Sequence, residues 1–267
     1  MRNTDPIGVF DSGVGGFTVV KALQELLPGE DIIYYGDTAN MPYGDRSPDD
    51  IVHLTRRILD FISSFRPKAV AVACNTISAL ISRYSDGYPF KIFSVVESGA
   101  QAVKDVVADC VGVFGTSVTI NSHKYDDLIH ALRPEMTVVS SICPRLSPAI
   151  ERGDFSRGTI DPQLVEAIEN MRRTADVKHV VFGCTHYPLI ADHLSRLYPD
   201  IAQIDPAYEE ADAVREYLSS IDMLNPAAEG TLKAYTSGGA EHFAEFARSV
   251  LPRAPMSVER LSVAEPL

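Results

Sequence analysis

Two cysteines of this 267-residue chain stand in nearly the same local sequence. Cys74 ends the run AVAVAC and is followed by Asn-Thr, whereas Cys184 ends VVFGC and is followed by Thr-His. A thiolate can act as a base, a nucleophile or a metal ligand, while most buried thiols serve only packing. The polar residues that follow each apolar run favour chemistry at both cysteines.

Both cysteines close a predicted β-strand. Short β-rich runs alternate with helical patterns along the chain, which is typical of an α/β fold with mostly parallel sheets. Residues 49–65 carry apolar side chains three and four positions apart, which predicts a helix packed on a sheet. The segment from about residue 251 onward has no clear period, so we expect a loose tail. The predicted strands cover residues 7–10, 31–36, 68–74, 90–96, 111–115, 136–143, 179–184 and 232–237.

The chain contains an internal echo. IGVFDS at residues 7–12 resembles VGVFGTS at 111–117, and AVACNT at 71–76 resembles VFGCTH at 181–186. The matching pattern predicts two pseudo-symmetric α/β domains that arose by duplication. Ligands bind beyond the carboxyl ends of parallel strands, so we expect the two halves to present their cysteines to one shared cleft.

A helix is predicted after each cysteine, over residues 76–84 and 188–197. The positive end of each helix is expected to lower the pKa of the adjacent thiol and to favour thiolate. First-turn N–H groups, together with Asn75, Thr76 and Thr185, could hold a carboxylate beside the sulfurs.

Two thiols on opposite sides of a small acid suit the inversion of a Cα centre. One thiolate removes the hydrogen from one face, and the other thiol returns a proton to the opposite face. Asp11 in the first half and His186 in the second are expected to tune the two thiols. The sequence therefore indicates a two-base racemase.

Composition excludes several other classes. The chain carries 36 acidic and 24 basic residues, a formal charge of −12, so we expect neither nucleic acid nor an anionic membrane as a partner. The sequence shows no secretory leader and no apolar run long enough to span a membrane, which predicts a cytoplasmic protein. Its four cysteines are too few and too scattered for a disulfide framework and are expected to be free thiols.

Rival interpretations of the motifs are weaker. A zinc site would need more than Cys184 and His186, and the chain has neither Cys-x-x-Cys nor His-Glu-x-x-His, so no metal is expected. The turn DSGVGG could bind a phosphate, but its spacing departs from the known nucleotide loops and a plain turn is the simpler interpretation. No pyridoxal lysine motif or dinucleotide fingerprint is present, so no cofactor is expected. Cys110 and Cys143 are interpreted as packing residues.

The chain resembles glutamate racemases, members of the cofactor-independent aspartate/glutamate racemase family, over nearly its whole length. Four blocks carry the resemblance: IGVFDSGVGGFTVVKAL (7–23), YYGDTANMPYG (34–44), AVACNT (71–76) and VFGCTHYPLI (181–190). The cysteine blocks mark the wider family, and the DSGVGG and PYG blocks point to glutamate racemases.

The resemblance implies interconversion of L- and D-glutamate, with D-glutamate supplied to peptidoglycan and hence to cell wall and cell shape. It implies Cys74 and Cys184 as the acid/base pair, assisted by Asp11, Glu151 and His186. It also implies a first domain of residues 1–97 plus 208–267 and a second of residues 98–207, with a homodimer left open. The implied substrate contacts are Asp11, Ser12, Pro42, Tyr43, Gly44, Asn75, Thr76, Thr185 and His186.

Three alternatives stay open on the sequence. The substrate could be another amino acid such as aspartate, because one methylene is worth only ~1–3 kcal/mol and no motif encodes it. A relative with one working thiol, such as a decarboxylase, is disfavoured by the retention of both cysteines. A two-domain protein that only binds a small acid would need the donors but no reactive thiol.

Overall fold

Parallel β-sheets form the centre of both halves of the molecule. The computed structural model describes residues 2–251, 253–255 and 257–263. Every pair of neighbouring strands within these ranges runs parallel. In chain order the strands are β1 (Ile7–Asp11), β2 (Ile32–Gly36), β3 (Ala69–Val72), β4 (Lys91–Ser94), β5 (Cys110–Gly115), β6 (Thr137–Ile142), β7 (His179–Gly183), β8 (Ala202–Ile204), β9 (Leu232–Thr236) and β10 (Ser257–Arg260).

Helices cover both faces of the sheets, and short 3₁₀ turns lie at Thr38–Asn40, Tyr43–Asp45, Ile81–Arg83 and Tyr187–Ile190. The α-helices are α1 (Phe17–Leu26), α2 (Pro48–Ser63), α3 (Asn75–Ser78), α4 (Val95–Ala102), α5 (Ser117–Asn121), α6 (Lys124–Leu132), α7 (Leu146–Glu151), α8 (Arg157–Arg172), α9 (Ala191–Leu197), α10 (Pro206–Ser220) and α11 (Ala240–Val250).

Helix α2 confirms the helix predicted over residues 49–65. Ser47 caps its start by accepting a hydrogen bond from the N–H of Asp50 at 3.2 Å, and Pro48 occupies the first turn, where its missing N–H costs nothing. The buried stripe packs Ile58 and Ile62 against the first sheet. No helix in the described ranges is long and apolar enough to cross a membrane.

The two sheets repeat one strand order. The first sheet runs β10-β9-β2-β1-β3-β4 and the second runs β6-β5-β7-β8. The segment β2-β1-β3-β4 therefore matches β6-β5-β7-β8 strand for strand, with β1 equivalent to β5 and β3 equivalent to β7. These are the pairs that the sequence echo linked, so the predicted two-domain α/β fold is confirmed in the strand order.

Each sheet is buried on both faces. Successive residues of β1 point into different cores, with Val9 beneath α1 and α10 and Phe10 beneath α2. The second sheet does the same, since Val180 packs towards α8 and Val181 towards α4 and α6. Burial on both faces explains why the strands are continuous apolar runs in the sequence.

The C-terminal segment returns to the first sheet, where β9 pairs with β2 and β10 pairs with β9. The expectation of a loose tail after residue 251 is therefore wrong for Ser257–Arg260, because the outer edge of β9 offers backbone groups that a further strand can satisfy. Residues 252, 256 and 264–267 of that tail lie outside the described residues. The predicted domain limits fall within or next to α4 and α10, which pack on each other, and these limits stay a prediction.

Candidate active site

One cleft lies between the two halves, at the carboxyl ends of β1, β3, β5 and β7. Its volume of about 230 Å³ is below the ~300–1,000 Å³ of drug-sized ligand sites, so it suits a small metabolite. Most of the residues predicted for the site line this cleft: Ser12, Pro42, Tyr43, Gly44, Cys74, Asn75, Thr76, Glu151, Cys184, Thr185 and His186. Asp11 is fully buried directly behind them.

The glycines of the DSGVGG turn allow the first half to approach the second closely. A Cβ atom on Gly13 would lie 2.7 Å from Oε2 of Glu151, and one on Gly15 would lie 2.7 Å from Nδ1 of His186. Both distances are shorter than real Cβ atoms show, so a side chain at either glycine would displace Glu151 or His186. The turn thus brings β1 and α1 against the second half.

Cys74 is linked through Ser12 to the carboxylate of Asp11. Its Sγ is 3.5 Å from Oγ of Ser12, and Ser12 donates to Oδ1 of Asp11 at 3.4 Å. Burial, reinforced by the charge of Asp11, raises the pKa of Cys74 to about 12. At neutral pH this residue is therefore a thiol, which is the proton-donating form.

The expectation that the helix N-terminus makes Cys74 a thiolate is wrong, because its pKa is raised overall. The hydrogen bonds from Ile77 N–H and Ser12 do favour the thiolate, but they are outweighed by burial and by Asp11. The helix after Cys74, α3, has only 4 residues, so few aligned peptide dipoles support the sulfur. The helix predicted over residues 188–197 likewise begins as a 3₁₀ turn, followed by α9.

Cys184 lies at the end of a chain of buried polar groups. Its Sγ is 3.5 Å from Nδ1 of His186, and Nε2 of His186 is 2.5 Å from Oε2 of Glu151. The two oxygens of Glu151 also accept the N–H of Val14, at 3.2 and 3.3 Å. Burial alone would lower the pKa of His186, but Cys184 and Glu151 together raise it well above its usual value. The charged imidazolium is therefore the favoured form.

A hydrogen bond between Asp11 and Thr185 joins the two halves behind the cleft. Thr185 donates through Oγ1 to Oδ2 of Asp11 at 3.0 Å, and Gly13 N–H donates to Oδ1 at 2.7 Å. Burial raises the pKa of Asp11, although His186 and these hydrogen bonds oppose the rise. Asp11 acts on the cleft through its neighbours, since its own surface is covered.

Asn75 supplies a donor to the cleft. Its Oδ1 accepts the hydroxyl of Tyr125 at 2.8 Å, which fixes the orientation of the amide. Its Nδ2 is buried and has no partner among the described residues. The hydroxyl of Thr76 lies 2.9 Å from that of Thr116, across the two halves. A carboxylate is the kind of ligand that would satisfy the free amide donor.

The sequence did not predict eight of the residues that line the cleft. Thr116 could have been found, because it follows β5 as Ser12 follows β1 in the echo VGVFGTS and IGVFDS. Arg152 carried no comparable signal. Cys110 and Cys143 do not line the cleft, and Cys143 lies in the core of the second half. No cluster of three or more potential metal ligands occurs in the described part. The missed residues are Met41, Asp45, Thr116, Ser117, Pro144, Ser147, Pro148 and Arg152.

Two equivalent α/β halves with paired cysteines in a shared cleft define the class of two-domain racemases. The family model for Asp/Glu/Hydantoin racemases matches residues 7–214, and the chain belongs to this family.

Relatives in this family cover nearly the whole chain. Glutamate racemase 3 of Caldanaerobacter subterraneus subsp. tengcongensis is 36% identical over 249 residues, which is 92% of this chain and 90% of that protein. The crystal structure of glutamate racemase isoform RacE1 from Bacillus anthracis is similar with a TM-score of 0.92, 30% identity and 98% coverage of both chains. Glutamate racemase from Francisella tularensis, solved with D-glutamate, has a TM-score of 0.89 and 31% identity and covers 98% of this chain and 99% of its own.

Proposed function

We propose that the protein is a glutamate racemase that interconverts L- and D-glutamate by proton transfer at Cα. The observation that carries this proposal is the pair of cysteines in one cleft between equivalent halves of a chain whose relatives are glutamate racemases. An aspartate racemase of the same fold is the second candidate, but none of the three relatives described above is one.

Each thiol works with its own assistants. In one direction Cys184, beside the imidazole of His186, takes the α-hydrogen, and the thiol of Cys74 delivers a proton to the opposite face. In the reverse direction the two cysteines exchange roles. Glu151 holds and polarises His186, and Asp11 acts on Cys74 through its charge and through Ser12. The assisting roles of Asp11, Glu151 and His186 form one proposal with the cysteine pair.

The substrate is held by hydrogen-bond donors near the sulfurs. The free amide of Asn75, with Thr76 and Thr185, binds the α-carboxylate, so that Cα lies between the thiols. The segment Pro42, Tyr43, Gly44 and the hydroxyl of Ser12 also line the cleft, and they complete the proposed substrate contacts.

The chemistry needs no cofactor, since the thiols themselves remove and return the proton. We further propose that the enzyme works in the cytoplasm, where a reducing environment keeps its four free cysteines reduced, and that D-glutamate is used for peptidoglycan. A homodimer remains a prediction.

The test is racemisation in deuterated water, starting separately from L-glutamate and D-glutamate without added cofactor. The wild type is expected to racemise both enantiomers and to place deuterium at Cα of the product. Cys74→Ser and Cys184→Ser should each abolish racemisation, whereas Cys110→Ser, outside the cleft, should retain it. A wild type that leaves glutamate unchanged but racemises aspartate would replace this proposal with the second candidate. Glutamate binding without any racemisation would identify a binding protein.

A further inference from the structure

Tyr125 reaches from the second half of the molecule to a side chain of the cleft in the first half. It is the second residue of α6, and its ring is buried with Val96 and Ile129 in the core of the second half. Its hydroxyl donates to Oδ1 of Asn75 at 2.8 Å. Asn75 follows Cys74 at the start of α3 and lines the cleft, whereas Tyr125 does not line it. The tyrosine therefore acts on a ligand in the cleft only through its neighbours.

The helices around Tyr125 leave room for its hydroxyl. Gly99 lies on α4, which packs against both α6 and α10. A Cβ atom on Gly99 would lie 2.7 Å from the hydroxyl oxygen of Tyr125 and 3.0 Å from Cγ of Pro206 on α10. A side chain at this position would displace the hydroxyl, so Gly99 permits the hydrogen bond to Asn75.

The proton of this hydrogen bond stays on the tyrosine. Burial, reinforced by the charges of Glu210 and Asp205, raises the pKa of Tyr125 above its usual value, so the hydroxyl remains a donor. A hydroxyl that donates to Asn75 must meet the carbonyl oxygen Oδ1, which leaves the Nδ2 donor for other partners. Nδ2 is buried and has no partner among the described residues, and a carboxylate in the cleft is the kind of ligand that satisfies it.

Without this hydrogen bond the amide of Asn75 has two orientations of nearly the same shape. Its oxygen and its NH₂ group are similar in size, but only the NH₂ group donates. An amide that presents Oδ1 to the cleft would repel a carboxylate instead of binding it. Within the described ranges, Tyr125 supplies the only hydrogen bond to the Asn75 side chain. The hydroxyl thus holds the amide in the orientation that binds an anion.

We propose that Tyr125 is a positioning residue for the substrate carboxylate, because its hydroxyl holds the amide of Asn75 with Nδ2 free for the ligand. The inference rests on the proposed function, in which Asn75 binds the α-carboxylate. Since the hydroxyl belongs to the second half and the amide to the first, the orientation of the carboxylate donor is set by a contact between the halves. Tyr125 acts through Asn75 and takes no part in proton transfer.

The experiment compares Tyr125→Phe with the matched control Tyr84→Phe. Tyr84 is also buried outside the cleft, and its hydroxyl donates to the backbone carbonyl of Ile77 at 3.2 Å rather than to a side chain of the cleft. Each variant loses one buried hydrogen bond, so thermal unfolding checks that both are folded at the assay temperature. The probe is glutarate, a non-reacting dicarboxylate, and its dissociation constant is measured by calorimetry.

The loss should be specific to the tyrosine that contacts Asn75. Tyr125→Phe should weaken glutarate binding by roughly 3- to 10-fold, the worth of one hydrogen bond, and Tyr84→Phe should change it by less than about 1.5-fold. In racemisation by Tyr125→Phe, KM should rise while kcat changes little, because the thiols are untouched. In Asn75→Ala, which has no amide to orient, adding Tyr125→Phe should cause no further loss of glutarate binding.

Three outcomes with a functional binding site overturn the inference. They are a loss smaller than about threefold in Tyr125→Phe, an equal loss in Tyr84→Phe, and a further loss of the same size when Tyr125→Phe is added to Asn75→Ala. A wild type that does not bind glutarate also overturns it, because the carboxylate site is then absent. Racemisation of glutamate by wild type is scored separately. A protein that binds glutarate with the expected pattern but does not racemise glutamate contradicts the proposed function and leaves the role of Tyr125 standing.

Discussion

Removing the charge of Glu151 tests whether the buried hydrogen-bonded triad of Cys184, His186 and Glu151 drives proton transfer. Glu151→Gln keeps the shape of the side chain and one carbonyl oxygen, which can still accept the N–H of Val14. It removes the negative charge that lies 2.5 Å from Nε2 of His186. Because Glu151 helps to raise the pKa of His186, its loss lowers that pKa, and the imidazolium is lost at a lower pH than in wild type.

The expected fall in kcat follows from the lost hydrogen bond between Glu151 and His186. A buried hydrogen bond to a charged group contributes about 1.5–3 kcal/mol. If the hydrogen bond between Glu151 and His186 stabilises the transition state of proton transfer at Cys184, its loss should lower kcat by roughly 10- to 150-fold. The alkaline limb of the pH profile should move to lower pH, because the charged imidazole supports the Cys184 side of the site. The two enantiomers have equal free energy, so kcat/KM must fall equally from L- and from D-glutamate.

The assay is racemisation over a pH series, with deuterium exchange followed in deuterated water. Slow transfer at Cys184 should increase the exchange of unconverted substrate relative to inversion, because Cys74 can still remove and return a proton on its own face. Asp161→Asn is the matched control, since Asp161 lies 2.7 Å from His193 outside the cleft and makes the same type of pair. If kcat and the alkaline limb are unchanged in Glu151→Gln, or change equally in the control, the proposed role of Cys184, His186 and Glu151 in proton transfer is refuted.

Three further predictions concern the thiol and two buried charges. Asp11→Asn should lower the pKa of Cys74 and speed its alkylation by iodoacetamide. Ser12→Ala should raise that pKa and slow alkylation. A change of the alkylation rate in the same direction in both variants would contradict this prediction. Glu210 is fully buried, both its oxygens lack partners among the described residues, and burial raises its pKa well above its usual value. Its ionisation therefore opposes folding as pH rises above the unfolded pKa, so Glu210→Gln should stabilise the protein at pH 8 by ~1–3 kcal/mol and less at pH 5, measured by urea unfolding. Lys68→Met removes the ion-pair partner of the buried carboxylate of Glu30. The free energy of unfolding should fall by ~3–5 kcal/mol, which is a drop of several degrees in Tm.

The strands could be predicted because they are buried on both faces. All eight strands predicted from apolar runs are present, with ends within two residues. Two strands were missed for a physical reason. Ala202–Ile204 is a 3-residue strand, too short and too exposed to show a pattern, and Ser257–Arg260 lies at an edge where half-polar residues suffice. Position at the sheet edge, rather than propensity, creates both strands.

The location of the site could also be predicted, but its electrostatics could not. The polar residues after Cys74 and Cys184 marked the strand ends, and the echo between halves brought them to one cleft. The pKa of Cys74 depends on burial and on Asp11, which is 63 positions away in the sequence.

The two halves share a fold, but their thiols lie in opposite electrostatic settings. Cys74 lies near a carboxylate and is held as a thiol, whereas Cys184 lies next to a favoured imidazolium. Under the proposed mechanism Cys74 therefore rests in the form that delivers a proton, and the imidazolium of His186 is the group beside Cys184 when Cys184 takes a hydrogen. After one turnover the proton occupancy is reversed, and it must be reset before the same enantiomer can react again. Since kcat/KM is fixed as equal in both directions, this asymmetry can appear only in the separate kcat and KM values of the two enantiomers.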